Sequence, residues 1–216
     1  MEYDLHIHTS RYSGCSAIDP VEALRRAAAV GLSGIALTEH GIRWKDGEIA
    51  DLIAQAGVND LVVLPGQEVA CYSKTGRLQG EFLVFGYPSS LGSNRSVETV
   101  IEMVHEREGV VLAAHPFKRH DTGHGYYGSG DATSDYALDG LEVEHPSYDA
   151  EGRAKAAALA AQMGIAGIGC SDAHDIRSIG ICRTVFQSRI TGIGELCAAL
   201  REGRVSALSA IHRECR

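Results

Sequence analysis

The feature that most restricts the possible folds of this sequence is a series of short apolar runs. Each run ends in a side chain of a type that binds metals. The runs end at His6 and His8 in Asp-Leu-His-Ile-His, Thr-Glu-His at 38–40, Pro-Gly-Gln-Glu at 65–68, Ala-His-Pro at 114–116, Glu-His-Pro at 144–146 and Ser-Asp-Ala-His at 171–174. Helical segments separate most of them, which is typical of repeated β-α units and a parallel sheet. Because parallel strands end on the same side, the sequence predicts that these side chains meet.

The apolar runs predict seven strands before the last helix. They lie near 3–7, 33–38, 61–69, 82–86, 110–114, 140–144 and 165–170, with a further short strand at 204–208. Helices are expected after the cap residue Asp19, ending at Gly31, and near 96–108, 149–163 and 193–202. This α/β pattern favours a seven-stranded (β/α)7 TIM-like barrel. The alternative, an open doubly wound sheet, would spread the candidate ligands across its width.

The composition indicates one domain over residues 1–216, with 44% hydrophobic residues to form its core. The net charge of −8, without basic runs, predicts neither a duplex nucleic acid nor a membrane as partner. No apolar stretch approaches the ~18 residues of a membrane helix, and the first residues do not form a signal segment, so a cytoplasmic location is expected. The oligomeric state is left open by the sequence.

Six cysteines without a Cys-x-x-Cys spacing indicate reduced thiols and no disulfides. Cys15 differs from the others because it lies in a Ser-Gly-Cys-Ser turn just after the first histidine pair. A metal ligand and an ordinary core or surface thiol are both open for this residue.

Each candidate ligand also has a simpler structural explanation. His40 and His115 could be loop or cap residues, Glu68 a solvated carboxylate and Asp172 an N-cap. The turn at Pro146 could likewise account for His145. However, a separate structural reason would be needed for each of these residues, although all of them lie at successive strand ends. One shared metal site explains the whole pattern, so the sequence favours it.

The order of these motifs resembles the PHP (polymerase and histidinol phosphatase) domain family over nearly the whole chain. The resemblance implies a distorted seven-unit barrel that holds two or three divalent ions, commonly manganese, iron or zinc, at its carboxyl-terminal mouth. By this resemblance the metal ligands are His6, His8, His40, Glu68, His115, His145, Asp172 and His174.

Two positions depart from the family pattern. Cys15 stands where many members have an aspartate, and its thiolate could bind zinc or iron. The run 80–87 lacks a histidine that some members supply near the fourth strand. Two ions are therefore the minimum expected.

Ions held mainly by neutral imidazoles keep a positive charge, about +2 for two ions if only Glu68 and Asp172 are ionised. This charge suits a phosphate monoester, attacked by a water that bridges the metals. The predicted function is hydrolysis of a small phosphate monoester, such as a nucleotide or a compound like histidinol phosphate. The alternatives are an amidohydrolase-type C–N hydrolase, which would need a strand-end lysine, and a catalytically silent metal-stabilised domain.

Further candidates surround the predicted centre. The predicted catalytic residues are Asp172, His174, His120 and Arg183, and the predicted substrate contacts are Lys118, Arg119, Arg177 and Trp44, with His124 and Tyr126 as further candidates. Several of them lie in the polar segment 117–136, which is long enough for a lid or a substrate-selecting loop. A solvated flexible loop is the alternative for this segment.

Overall fold

A computed structural model describes residues 1–122 and 124–209. Its strands are β1 (Glu2–Ile7), β2 (Gly34–Leu37), β3 (Val62–Tyr72), β4 (Leu78–Phe85), β5 (Val110–Ala113), β6 (Gly140–Glu144), β7 (Ala166–Gly169), β8 (Cys182–Phe186) and β9 (Val205–Ser209). Its α-helices are α1 (Pro20–Ala29), α2 (Asp46–Ala56), α3 (Val97–His105), α4 (Ala150–Met163) and α5 (Ile193–Arg201). Within these described ranges no helix has the length and apolar character needed to cross a membrane.

All nine strands of the described chain form one sheet in the order β7-β6-β5-β4-β3-β2-β1-β8-β9. The sheet curls until β8 and β9 lie against β7, which gives a nearly closed barrel. Seven strands run in one direction, whereas β4 and β8 run antiparallel to their neighbours. The barrel prediction is confirmed, and the open sheet is not found.

The predicted number of seven strands is wrong, because the sequence analysis missed β8. Along β8 buried and half-buried residues alternate. This pattern is typical of an antiparallel strand and differs from the continuous apolar runs used to locate the others.

The helices begin where local chemistry favours them. The Asp19 carboxylate accepts hydrogen bonds from the backbone N–H groups of Val21 and Glu22, and Pro20 occupies the first turn of α1. Helix α2 was not predicted, because Lys45 precedes it and provides no side-chain cap. The backbone N–H of Lys45 instead donates to the Glu48 carboxylate.

Apolar side chains fill the barrel below its mouth. Leu5, Leu64, Leu83, Leu112 and Ile168 are all at most 2% exposed there. Two further apolar clusters lie between the sheet and the surrounding helices. The floor beneath the mouth is therefore closed to water.

The contact between β7 and β8, called the seam here, is too tight at Gly169 for an added side chain. A Cβ on Gly169 would lie 2.5 Å from the backbone oxygen of Arg183. We expect Gly169→Ala to lower the free energy of unfolding by about 1–3 kcal/mol, as measured by urea denaturation. Gly194→Ala in α5 is the control, because a Cβ there meets nothing within 4 Å. Equal stabilities of the two variants would contradict a tight seam.

Candidate metal centre

Histidine and carboxylate side chains converge at the mouth of the barrel. The Nε2 atom of His6 lies 2.9 Å from Nε2 of His8, 3.3 Å from Oε1 of Glu68 and 3.4 Å from Oδ1 of Asp172. Both histidines are fully buried, and Glu68 is 2% exposed. Ligand atoms with bonds of about 2.1 Å to one ion lie about 3–4 Å apart. The spacing therefore fits a common cation.

Hydrogen bonds behind the first two histidines fix which ring nitrogen carries the proton. Nδ1 of His6 lies 2.8 Å from the Glu142 carboxylate, and Nδ1 of His8 lies 3.2 Å from the Ser13 hydroxyl. That hydroxyl donates its own proton to Glu39, so it can only accept from His8. Both Nδ1 atoms therefore donate, so in the neutral imidazoles both Nε2 atoms carry lone pairs. Two such lone pairs repel each other unless a proton or a metal ion lies between them, and the hydrogen bonds that both Nδ1 atoms donate are those of metal-binding histidines.

Glu68 and Asp172 each face several imidazoles and could bridge two ions. The two oxygens of Glu68 lie 2.9 Å from Nδ1 of His40 and 3.1 Å from Nε2 of His115. Oδ1 of Asp172 lies 3.5 Å from Nε2 of His8. The groups within reach of a single ion are His6–His8–Glu68, His6–His115–Asp172, His8–His40–His174 and His40–Glu68–Glu81.

His145 reaches the centre with a different hydrogen-bond pattern. The backbone N–H of Ser147 donates to its Nδ1 atom over 3.1 Å, which places the ring proton of a neutral imidazole on Nε2. That Nε2 atom is buried and lies 3.4 Å from Oδ2 of Asp172. In this arrangement His145 points a proton at Asp172 rather than a lone pair at an ion.

Two residues of the centre adopt backbone conformations that are uncommon for residues with a side chain. His115 has φ = 28° and Asp172 has φ = 49°, and they follow the ends of β5 and β7. Positive φ costs about 1–3 kcal/mol for such residues and persists where the surroundings impose it. At both positions a strained turn directs the side chain into the mouth.

Lys118 is the predicted substrate contact that lies in the centre. Its Nζ atom donates to Oδ2 of Asp172 over 3.0 Å. Burial alone would lower the pKa of Lys118, but the charge of Asp172 outweighs it and raises the pKa above its usual value. The side chain therefore presents an ammonium group beside the predicted ligands.

The other predicted contacts do not reach the predicted ligands. Arg183 pairs with Glu2 over 2.6 Å at the start of β1, the opposite end of the barrel, so its prediction as a catalytic residue is corrected. Trp44 is 3% exposed and donates to Glu39, so it is packed rather than available for stacking. The Arg177 side chain is 86% exposed and pairs with Asp175.

The candidates of the segment 117–136 also have local partners. Arg119 pairs with Asp149 and Glu151. His120 bonds to Thr122 and lies over the ring of Tyr127, so the structure does not place it beside the ligands. Tyr126 packs edge-on against Phe117, and His124 is exposed. Of this segment, Gly123 lies outside the described residues.

Four carboxylates at the centre were missed by the sequence analysis: Asp4, Glu39, Glu81 and Glu142. Asp4 accepts hydrogen bonds from Ser171 and from the backbone N–H of Gly180, and burial raises its pKa to about 6. Acidic residues inside apolar strand runs were the available signal, because acidic side chains are rarely buried without a partner.

Cys15 lies at the rim of the mouth, where its Sγ atom is 3.2 Å from Nε2 of His40. Cys15 is exposed, whereas Cys71, Cys170, Cys182 and Cys197 are buried. Burial raises the pKa of the Cys71 and Cys182 thiols to about 12 and that of Cys197 to about 11.

Iodoacetamide near neutral pH should therefore modify Cys15 much faster than these four thiols, because thiolates react and exposed thiols are accessible. Peptide mass spectrometry of a time course measures the rates. Cys215 lies outside the described residues and is carried on a separate tryptic peptide. Comparable rates for Cys15 and Cys71 would contradict the described burial.

Fold and site together define a distorted β/α barrel with a histidine–carboxylate centre at its mouth. A family model described as PHP-associated matches residues 151–205. The uncharacterized protein MJ1587 of Methanocaldococcus jannaschii is 31% identical over 153 residues, which cover 66% of this chain and 81% of that protein. With the motifs and the fold, these relationships show that the chain belongs to the PHP family.

Solved structures share the fold at low sequence identity. A two-domain protein from Bacteroides vulgatus, described as containing a PHP-like metal-dependent phosphoesterase, has a TM-score of 0.72 and 16% identity over 97% of this chain. The chain spans only 64% of that protein. Endonuclease Q in complex with a 27-mer duplex substrate has a TM-score of 0.61 and 20% identity, with 93% of this chain and 56% of that chain covered.

The expectation that no duplex nucleic acid is involved is wrong. Endonuclease Q has this fold, and its solved complex contains a duplex substrate with an abasic lesion at the active site. A net charge of −8 therefore does not exclude a nucleic-acid partner, because a local surface can bind a phosphate backbone whatever the sign of the total charge.

Proposed function

We propose that this chain is a metal-dependent phosphoesterase that hydrolyses a phosphate monoester at the mouth of the barrel. The observation that carries the proposal is the close approach of the Nε2 atoms of His6 and His8, flanked by Glu68 and Asp172, because it offers two imidazoles and two carboxylates to one metal ion. Membership of the PHP family and the ammonium group of Lys118 support the same reaction.

A set of ligands can be proposed for each ion from these distances. His6, His8, Glu68 and Asp172 would hold the first ion, and Glu68 with His115 a second. His40 and His174 would hold a third, next to Cys15. Manganese, iron and zinc all accept these imidazoles and carboxylates, and a Cys15 thiolate would favour zinc or iron. When bound, such ions lower the pKa of water and neutralise charge on a phosphoryl group.

The chain's own residues bind and orient the phosphate. Asp172 holds Nζ of Lys118 at the edge of the centre, where the ammonium can donate to a phosphate oxygen. His174 donates from Nδ1 to the backbone oxygen of Asp172 over 2.9 Å, which leaves its Nε2 atom free. The apolar floor excludes water from below, so the phosphate enters only from the mouth.

The rest of the substrate would remain outside this deep part of the site. His40 and Lys118 are 41% and 29% exposed and form part of its rim. Strands β3 and β4 continue past Glu68 to a hairpin turn at 73–77, which stands beside the rim. The buried centre thus contacts the phosphate, and the rim contacts the leaving group. A small molecule or the end of a nucleic acid would both fit this division.

A C–N hydrolase is disfavoured by the lysine positions. In the described part of the chain, Lys118 is the lysine that reaches the centre, and its partner is Asp172. It follows β5 in a loop and lies outside the strand ends, where an amidohydrolase would need its bridging lysine. A catalytically silent domain is the other alternative, and activity assays separate it from an enzyme.

His8→Ala and Asp172→Ala should each lower phosphomonoesterase kcat/KM by at least about 10³-fold. Metal ions supply several kcal/mol of transition-state stabilisation, and both variants remove a ligand. The assay uses manganese-loaded protein with nucleotides, histidinol phosphate, a phosphodiester and duplex DNA with an abasic site. Arg25→Ala on the exposed side of α1 is the control. Unchanged turnover in both ligand variants would refute the proposal, and cleavage of the duplex alone would replace the monoester by a nucleic-acid substrate.

Lys118→Met should lower kcat/KM by about 10–100-fold, because a hydrogen bond to a charged group contributes about 1.5–3 kcal/mol. The variant keeps the length of the side chain, so metal content measured by plasma mass spectrometry should stay that of the wild type. A normal kcat/KM would show that Lys118 does not contact the phosphate.

A further inference from the structure

Glu81 enters the mouth from a strand that runs against its neighbours. Because β4 is antiparallel to β3 and β5, the first half of β4 lies at the mouth and its last residues lie at the opposite end. Oε2 of Glu81 is 3.6 Å from Nε2 of His115. Glu81 also forms a group with His40 and Glu68 in which the ligand atoms all lie within 4.8 Å of one another.

In the described residues no lysine or arginine lies within ion-pair distance of this carboxylate. Within residues 1–122 and 124–209 it accepts no hydrogen bond, and His115 is its partner at ion-pair distance. Its side chain is 28% exposed and lies in the region already occupied by Glu68 and Asp172. Lys118 pairs with Asp172 and not with Glu81, so the repulsion among three carboxylates in one cavity costs free energy that a bound metal ion would reduce.

The distances fit a shared ion. Two atoms bound to one ion at about 2.1 Å are at most about 4.2 Å apart. The separations from His115 Nε2 to Glu68 Oε1 (3.1 Å) and to Glu81 Oε2 (3.6 Å) both fall below that limit. His115 is thus close enough to share an ion with either carboxylate, and Glu68 and Glu81 have ligand atoms within 4.8 Å of each other in their group with His40.

We propose that Glu81 is a ligand of the second ion, together with Glu68 and His115. The inference rests on the metal centre of the proposed function and adds a ligand that none of the sequence motifs supplied. Two carboxylates and one imidazole make this a hard donor set that favours manganese or ferrous iron, whereas the position beside Cys15 is softer. The two ends of the cluster then select different metals.

The test is a calorimetric titration of the metal-free protein with Mn²⁺, which needs no substrate. Glu81→Gln keeps the shape of the side chain and removes its charge. The affinity of one site for Mn²⁺ should therefore fall by at least about 10-fold, since even the loss of a group that only supports a ligand lowers metal affinity by about this factor. Glu81→His restores a ligand and should recover the site with a shift in preference from Mn²⁺ to Zn²⁺. Glu98→Gln is the matched control, because Glu98 contacts Gln79 outside the barrel.

Unchanged stoichiometry and affinity in Glu81→Gln would overturn the proposal, as would a wild type that binds no divalent ion. If Glu81→Gln does not fold, anomalous diffraction from Mn²⁺-soaked wild-type crystals decides the question. A peak about 2.0–2.3 Å from a Glu81 oxygen supports the proposal, and peaks more than about 3 Å from both oxygens overturn it. If metal binding behaves as expected while all phosphoesters are inert, the proposed function fails and this inference stands.

Discussion

The centre depends on the hydrogen bonds that fix the protons of His6 and His8. Glu142 accepts a hydrogen bond from Nδ1 of His6, and the Ser13 hydroxyl, which donates to Glu39, accepts one from Nδ1 of His8, so the Nε2 atoms of both rings point into the cavity. Burial would raise the pKa of Glu142, but its hydrogen bond and charge interaction with His6 outweigh burial and lower the pKa. The cavity therefore concentrates electron pairs and negative charge, and a cation is the simplest way to balance them. The ligand groups, the bridging carboxylates and the proposed chemistry all follow from this arrangement.

The sheet topology determines which residues can reach that cavity. The parallel strands β1, β2, β3, β5, β6 and β7 bring their carboxyl ends to the mouth, whereas β4 and β8 bring their amino ends. Glu81 reaches the centre near the start of β4. Arg183 lies near the start of β8, but its side chain pairs with Glu2 at the far end of β1.

The sequence was a good guide wherever one strand carried its own signal. His6, His8, Glu68, His115 and Asp172 follow apolar runs, and the structure brings all five together. Glu81 was missed because strand direction depends on partners distant in the chain, and Arg183 was misjudged because its side chain pairs with Glu2 instead of reaching the centre. The position of a residue before or after an apolar run does not show in which direction the strand lies in the sheet.

The supporting residues were missed for a different reason. Three buried carboxylates lie within or beside the motifs that were recognised: Glu39, Glu142 and Asp4. They accept hydrogen bonds from Thr9, His6 and Ser171, residues that come close only in the folded chain. The substrate contacts were overestimated because basic and aromatic loop residues find local partners, as Arg119 does with Asp149. Loop chemistry is determined by neighbours that a single sequence does not identify.

The hairpin that rises past the mouth separates two tasks that enzymes often combine. In the proposed function the buried residues bind the phosphoryl group, and the exposed rim contacts the rest of the substrate. Changes of the outer loops can therefore redirect such a centre from a metabolite to a polymer without altering its chemistry.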